Sequence, residues 1–443
     1  MSKAMDMTKG NSFKQIIAFT IPLILGNVFQ LTYNMVDSIV IGHFAGSEAL
    51  ASVGTSDPIM SLIILGVSGM CIGAGVLMSE FFGSGQIEKL REEMRTLTFM
   101  GIVFSAVVLI FGLFFSRQIL IWIKAPASIL SMATIYLRII FMGMPFTVLY
   151  NIYSSGLRSI GNSTTPLKYL AISSVMNMVL DVLFIYFFHL NVLGAALATV
   201  LAEAFSAILC ILYTEKNIEY LRFDWKNLSI NKDLVNQTLS YGFFSALQQA
   251  AQPIGKLFIQ GTVNSLGVAS IAAFNAVGKI EDIGLVPGRT IANAATTFIA
   301  QNKGAQKKER MEKGYRQAMF MEVVTGIVIS MSLFFFRNPL MSLFTKDQNI
   351  ISEGAIYFSI MFVAYMISNF SNGQQGYFRG VGLMKTTFLG TLTQITIRAC
   401  TTFILVPMIG IKGIGFACMI GWLCQISWQF PYRAYIYKKY YKA

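Results

Sequence analysis

Residues 21–40 read Ile-Pro-Leu-Ile-Leu-Gly-Asn-Val-Phe-Gln-Leu-Thr-Tyr-Asn-Met-Val-Asp-Ser-Ile-Val. Asp37 is the one charge in this stretch, whose length matches the roughly 20 residues a helix needs to cross a bilayer. Comparable apolar runs recur along all 443 residues, separated by polar clusters. Composition agrees. The chain is 55% hydrophobic and 12% charged, about half the charge of the roughly 25% usual in soluble domains. A soluble enzyme, a secreted disulfide scaffold and a disordered protein are excluded, and the chain reads as an all-α polytopic membrane protein.

A formal net charge of +13 would suggest nucleic-acid binding in a soluble protein. Here the charges lie between apolar runs and report membrane orientation instead. Cys71, Cys210, Cys400, Cys418 and Cys424 sit inside apolar segments without metal-ligand spacing, in line with inert packing roles. His43 and His189, the only histidines, lie at the ends of apolar runs with no thiol or acid cluster beside them. No zinc or haem site, cofactor or nucleophile–base pair is expected. Residues 1–11 are polar and too short for a signal peptide, so the first helix is expected to stay in the protein.

Twelve spans follow, centred near Asn27, Gly66, Ser105, Gly143, Met178 and Ala202, then Leu247, Val286, Ile327, Tyr365, Thr396 and Met419. The hydrophilic stretch 215–233 divides them into two six-helix lobes, 1–220 and 221–443. Most cations fall on one side: Lys3, Lys9 and Lys14; Lys89, Arg91 and Arg95; Arg158 and Lys168; Lys216, Arg222, Lys226 and Lys232. Lys303, Lys307, Lys308, Arg310, Lys313 and Arg316 join them, with Arg379, Lys385, Arg433, Lys438, Lys439 and Lys442. The other side receives Arg117, Lys124, Arg337, Lys346 and Lys412. This bias puts both termini in the cytoplasm.

The halves repeat at an offset of 221. Residues 46–51 match 267–272, Ile135-Tyr136 matches Ile356-Tyr357, and 194–196 match 415–417. An even number of spans per half makes this a parallel repeat, an arrangement that puts a transport site between the halves.

Ionisable residues at membrane depth cost at least about 2.5–3.5 kcal/mol and mark function by default. For Glu80, Glu203, Glu322 and Arg138 a helix-end side chain snorkelling to water suffices. The first span differs. Asn27, Gln30, Asn34 and Asp37 are spaced 3, 4 and 3 and share one face. On the fifth span Asn177 and Asp181 share another. Counting inward at 1.5 Å per residue puts Asp37, Asp181 and Thr199 of the sixth span roughly 8–10 Å below the outer surface. Two carboxylates, an amide and a hydroxyl at one depth form an oxygen cage or a structural hydrogen-bond network. A cage suits a hard cation such as Na⁺, or a shared proton, since neighbouring carboxylates resist ionising together. The offset maps Asp37, Asn177, Asp181 and Thr199 onto Phe258, Arg398, Thr402 and Ile420, a set unable to hold a cation.

The second half carries its own stripes: Gln248, Gln252, Lys256 and Gln260, then Gln394 and Arg398, with Lys279, Glu281, Asp282 and Arg289 between. These charges either neutralise one another across helices or line a hydrated cavity. The expected substrate-lining set is Gln30, Asn34, Tyr150, Gln252, Lys256, Glu281, Asp282, Asn369 and Arg398. Pro22 of the first span is placed to let that helix bend.

In order and spacing the chain resembles the multidrug and toxic compound extrusion (MATE) family of secondary exporters. The resemblance rests on Ile21-Pro22, Val36-Asp37-Ser38, 46–51, the Gly-Asn-Ser-Thr-Thr-Pro of 161–166 and the Asn-Met-Val-Leu-Asp of 177–181. The Gln-Asn-Lys-Gly-Ala of 301–305 is similar to bacterial MepA-like members. The resemblance implies an alternating-access antiporter that expels amphipathic, often cationic, compounds in exchange for Na⁺ or H⁺. In its DinF-like branch the first-lobe set carries over as Asp37, Asn177, Asp181 and Thr199. NorM-like members add a Glu on helix 7, where Gln252 stands here, and an Asp on helix 10, where 368–374 has no acid. The expected setting is a monomer in the plasma membrane of a bacterium, with the bilayer and small molecules as partners and no nucleic acid. A flippase for lipid-linked saccharides, or an exporter of an anionic metabolite, is the alternative that Lys256, Arg289 and Arg398 keep open.

Overall fold

The computed structural model describes residues 4–223 and 231–441. Lys3, Lys226 and Lys442, used above for orientation, lie outside them. Apolar runs become long helices because a bilayer leaves no other partner for backbone N–H and C=O groups. In chain order these are α1 (Ser12–Val40), α2 (Ser47–Gly83), α3 (Ile87–Trp122), α4 (Leu130–Ser159), α5 (Thr164–Asp181) and α6 (Asn191–Asn217). After the linker come α7 (Lys232–Val263), α8 (Val268–Gly284), α9 (Val286–Gly304), α10 (Lys308–Phe335), the short α11 (Arg337–Ser342), α12 (Gln348–Gly380), α13 (Met384–Ile409) and α14 (Ile411–Ile436).

Among the described residues, ten helical segments are long and apolar enough to cross a membrane. The two expected spans outside that set are α7 and the α8–α9 pair. The first carries a polar stripe noted above, and the second is divided into helices of only 17 and 19 residues. The span expected around Val286 is two helices, broken at Leu285 with Pro287 in the first turn of α9. There a proline removes no hydrogen bond that the helix would otherwise make.

The repeat extends to two of the backbone's special places. Gly46 (φ 91°) and Gly267 (φ 93°) each start the helix of the second span of their half, and Gly161 (φ 83°) and Gly382 (φ 84°) each follow the fourth. All four hold the left-handed geometry that glycine adopts without steric penalty.

The chain forms two compact units, Met1–Asp6 with Ile21–Gly242, and Met7–Thr20 with Phe243–Ala443. The division falls inside α7, whose Thr238 hydroxyl lies within hydrogen-bond distance of both carboxylate oxygens of Glu93 on α3 (2.7 and 2.9 Å). In the first unit α4 is central, packing on α2, α3 and α6 around Met78, Leu97, Phe141, Met144 and Leu157. In the second, α12 occupies the corresponding position against α8, α9, α10 and α14, around Tyr357, Phe358, Tyr365 and Ile414. Outward faces stay apolar: Ile102, Val103, Val107, Ile110, Phe111 and Phe114 are exposed at helical spacing on α3, as a lipid-facing surface requires.

The motif at 301–305 has a structural task. Gln301 accepts from the Met7 N–H (2.9 Å) and the Asn302 amide donates to the Met7 carbonyl (3.1 Å). Arg310 donates to the carbonyls of Met7 (2.9 Å), Lys9 (2.9 Å) and Gly10 (2.7 Å) and to Gln15 Oε1 (2.7 Å). This grip places the segment before α1 in the second unit. Arg310→Ala, which removes all four bonds at once, is expected to speed hydrogen exchange of the Gln15 amide and its Met7–Gly10 neighbours about tenfold or more, since tenfold needs only about 1.4 kcal/mol. Unchanged exchange rates there would contradict this role.

Candidate functional site

Asp37 lies one turn before the end of α1, and Asp181 is the last residue of α5. Each helix then continues as a π-helical turn, Ile41–Ala45 after α1 and Val182–Phe187 after α5. π turns occur frequently at functional sites. The two π turns pack on each other through Phe44 and Tyr186, whose rings meet edge to face at 5.1 Å.

This packing sets the two acids face to face, with the Asp37 and Asp181 carboxyl groups in hydrogen-bonding reach of one another. Asp181 is fully buried and Asn177, one turn earlier, is 2% exposed. Asp37 Oδ1, both Asp181 oxygens and both polar atoms of the Asn177 amide are buried without a hydrogen-bond partner. Five orphaned polar atoms at one place cost far more than a packed apolar core. Facing carboxylates repel unless a proton or a cation lies between them, so the donor set fits either. Thr199, on α6, turns its hydroxyl back to the Ala195 carbonyl (3.0 Å). The structure therefore brings Asp37 and Asp181 together, buries Asn177 one turn before Asp181, and leaves Thr199 with its hydroxyl proton engaged elsewhere.

The surrounding groups were missed or misread in the sequence. Asp57 on α2 acts electrostatically on Asp37, and Tyr33 and Tyr136 are in reach of both Asp37 and Glu203. Glu203, expected to snorkel, instead accepts a hydrogen bond from Thr147 of α4 inside the unit. The available signal was position: Asp57 and Glu203 both lie within their spans rather than at the ends.

In the second unit the counterpart of Asp37, Phe258, is exposed. Thr402, the counterpart of Asp181, bonds back to the Arg398 carbonyl (2.7 Å). No acid pair forms there. Instead Tyr365 donates to Glu281 (2.6 Å) and Lys256 pairs with Asp282 (3.3 Å). Arg398 acts electrostatically on Glu281 without an ion pair between them, and its Nε is buried without a partner. Four of the expected lining residues, Lys256, Glu281, Asp282 and Arg398, thus gather on α7, α8 and α13. Gln30, Asn34 and Gln252 are exposed.

Two lining expectations are corrected. Tyr150 spends its hydroxyl on the Pro166 carbonyl (3.2 Å) while its ring packs against the first unit's core. Asn369 is 1% exposed and sits in a helix crossing, where Gly288 makes room for it. A polar residue at helical spacing looks the same in sequence whether it faces water or another helix.

A family model, MatE, matches residues 22–183 and 245–404. The probable multidrug resistance protein YpnP of Bacillus subtilis is 27% identical over 98% of this chain and 97% of its own length. The multidrug export protein MepA of Staphylococcus aureus is 23% identical, covering 95% and 93%. Among solved structures, an outward-facing multidrug resistance MATE family transporter of the MOP superfamily superposes with a TM-score of 0.92 at 21% identity, covering 99% of this chain and all of the other.

Two substitutions test the site's physics. Asp181→Asn removes one of two facing carboxylates, so thermal stability is expected to hold or rise. Thr147→Ala takes away the hydrogen bond to Glu203 and is expected to lower stability by about 1–3 kcal/mol. The reverse order in thermal unfolding would contradict the assignment.

Proposed function

Since the chain belongs to the MatE family, we propose that it expels amphipathic, chiefly cationic, organic compounds from a bacterial cytoplasm in exchange for Na⁺ or H⁺. The observation that carries this reading is the Asp37–Asp181 pair with its orphaned partner Asn177. The pair is deficient in positive charge as it stands, and one incoming cation remedies that. The relatives' names supply the cargo class: YpnP and MepA are both named for multidrug resistance or export.

Coupling requires that cation and cargo favour different conformations of the protein, for neither can otherwise drive the other. The paired π turns give the first unit an element through which occupancy of the acids can act, because they follow the two acids directly in the chain. One elementary charge moving through 100 mV releases about 2.3 kcal/mol. At about 1.4 kcal/mol per tenfold, that sustains a gradient of about fortyfold per net charge. On this reading it works in the plasma membrane as a monomer with both termini in the cytoplasm, needing no cofactor beyond the coupling ion.

A second reading, export of an anionic metabolite or flipping of a lipid-linked saccharide, draws on one observation. Arg398 is a guanidinium at membrane depth without an ion-pair partner among the described residues, which an acidic group on the cargo would match.

Efflux of ethidium from proteoliposomes under an imposed Na⁺ or pH gradient tests the first reading. One gradient is expected to drive accumulation against concentration, and Asp37→Asn to abolish it while the protein remains inserted. Active efflux unaffected by Asp37→Asn would remove the coupling role. Drive by neither gradient, with an anionic cargo accumulated instead, would favour the second reading.

A further inference from the structure

Glu322 stands midway along α10 and is fully buried, with neither carboxylate oxygen completing a hydrogen bond. Asn369 of α12, 1% exposed, gives its amide N–H to the Tyr365 carbonyl (2.9 Å). Its Oδ1 is left without a partner. Both residues meet at Gly288 of α9, where an added methyl would strike Asn369 Oδ1 and come within 3.1 Å of Glu322 Oε2. Two orphaned acceptors therefore converge on one buried point. Two acceptors attract only if one of them carries a proton.

The repeat supplies a control. At the offset of 221, Glu322, Asn369 and Gly373 correspond to Gly101, Val148 and Ile152. In the first unit Val148 and Ile152 fill the space beside Gly101 with apolar carbon. In the second the roles are exchanged: the helix pair brings Gly373 and Gly326 against the Glu322 and Asn369 side chains, with an added methyl at Gly373 falling 3.4 Å from Glu322 Cγ. The scaffold closes this crossing perfectly well with hydrocarbon, so packing alone does not explain an acid here. An ionisable group at membrane depth is costly to keep.

We propose that Glu322 is a proton-binding site of the second unit. In the conformation seen here it is neutral and donates to Asn369 Oδ1. When the crossing of α9, α10 and α12 loosens, the proton passes to entering water and the carboxylate turns to Arg379. That guanidinium, on the last turn of α12, already acts electrostatically on Glu322 and has a buried Nε without a hydrogen-bond partner. From α9 the carboxylate is faced by Gly288 and the Ala292 backbone, with no titratable side chain acting on it. Glu322 thus has two alternative partners, an amide when protonated and a cation when ionised. The site does not depend on which ion the Asp37–Asp181 pair takes.

The test is infrared difference spectroscopy of the full chain in lipid, on an Asp37→Asn/Asp181→Asn background so that the first-unit acids contribute nothing. Glu322→Gln is compared with its parent across an acid-to-alkaline titration. The difference is expected to contain one carboxylic acid C=O band that converts to carboxylate bands as pH rises. In an otherwise parental Asn369→Leu variant the acid band should move to higher frequency through loss of its hydrogen bond, and this decides the matter if Glu322→Gln does not assemble. Spectra identical with and without Glu322, a band that never titrates, or one that Asn369→Leu leaves in place would overturn the proposal. None of these outcomes touches the first-unit reading, whose residues are already removed.

Discussion

A carboxylate inside a membrane helix bundle must be matched by a proton, a cation or a guanidinium, because no water is at hand to solvate it. The acids described above find different partners. Glu281 takes a tyrosine hydroxyl and the field of Arg398, and Asp282 takes Lys256. Glu203 and Glu93 take threonine hydroxyls. Asp37 and Asp181 take only each other, and that deficit is what an exchangeable ion can supply.

The two units show how one backbone is put to different uses. Two pairs of their turns repeat to within a few degrees of φ, while the polar side chains hung on the same helices do not. The first unit gathers its acids where α1 and α5 pass into π turns and fills the α3–α4 crossing with Val148 and Ile152 around Gly101. The second has Phe258 and Thr402 at the former place and Glu322 with Asn369 at the latter. Packing alone does not require the polar groups of the second crossing, since the first is closed with hydrocarbon.

Much of this was legible in the sequence. Helical spans follow from apolar length, and their number from polar punctuation. That Asp37 and Asp181 meet follows from polar helix faces at one depth. What stayed hidden depends on which helix faces which. Glu203 and Glu322 read as helix-end acids because what surrounds them, Thr147 for the one and Gly288 for the other, is distant in the chain. Asp57 escaped notice because it stands alone on its face. Tyr150 and Asn369 were assigned to a cavity since composition cannot distinguish a polar group facing water from one buried against another helix. The break at Leu285 and the π turns were also invisible, because apolar periodicity is tolerant of a residue more or less per turn.

The Asp37–Asp181 pair is proposed here to hold the coupling ion. Equilibrium binding measures this most directly, as Na⁺ bound and protons released per chain by purified protein over a range of Na⁺ concentration and pH. The Asp37→Asn/Asp181→Asn protein should bind a single cation equivalent fewer than the parent, with the loss in whichever ion the parent takes up. Equal stoichiometry in the two proteins would show that these acids are structural and that the ion enters elsewhere.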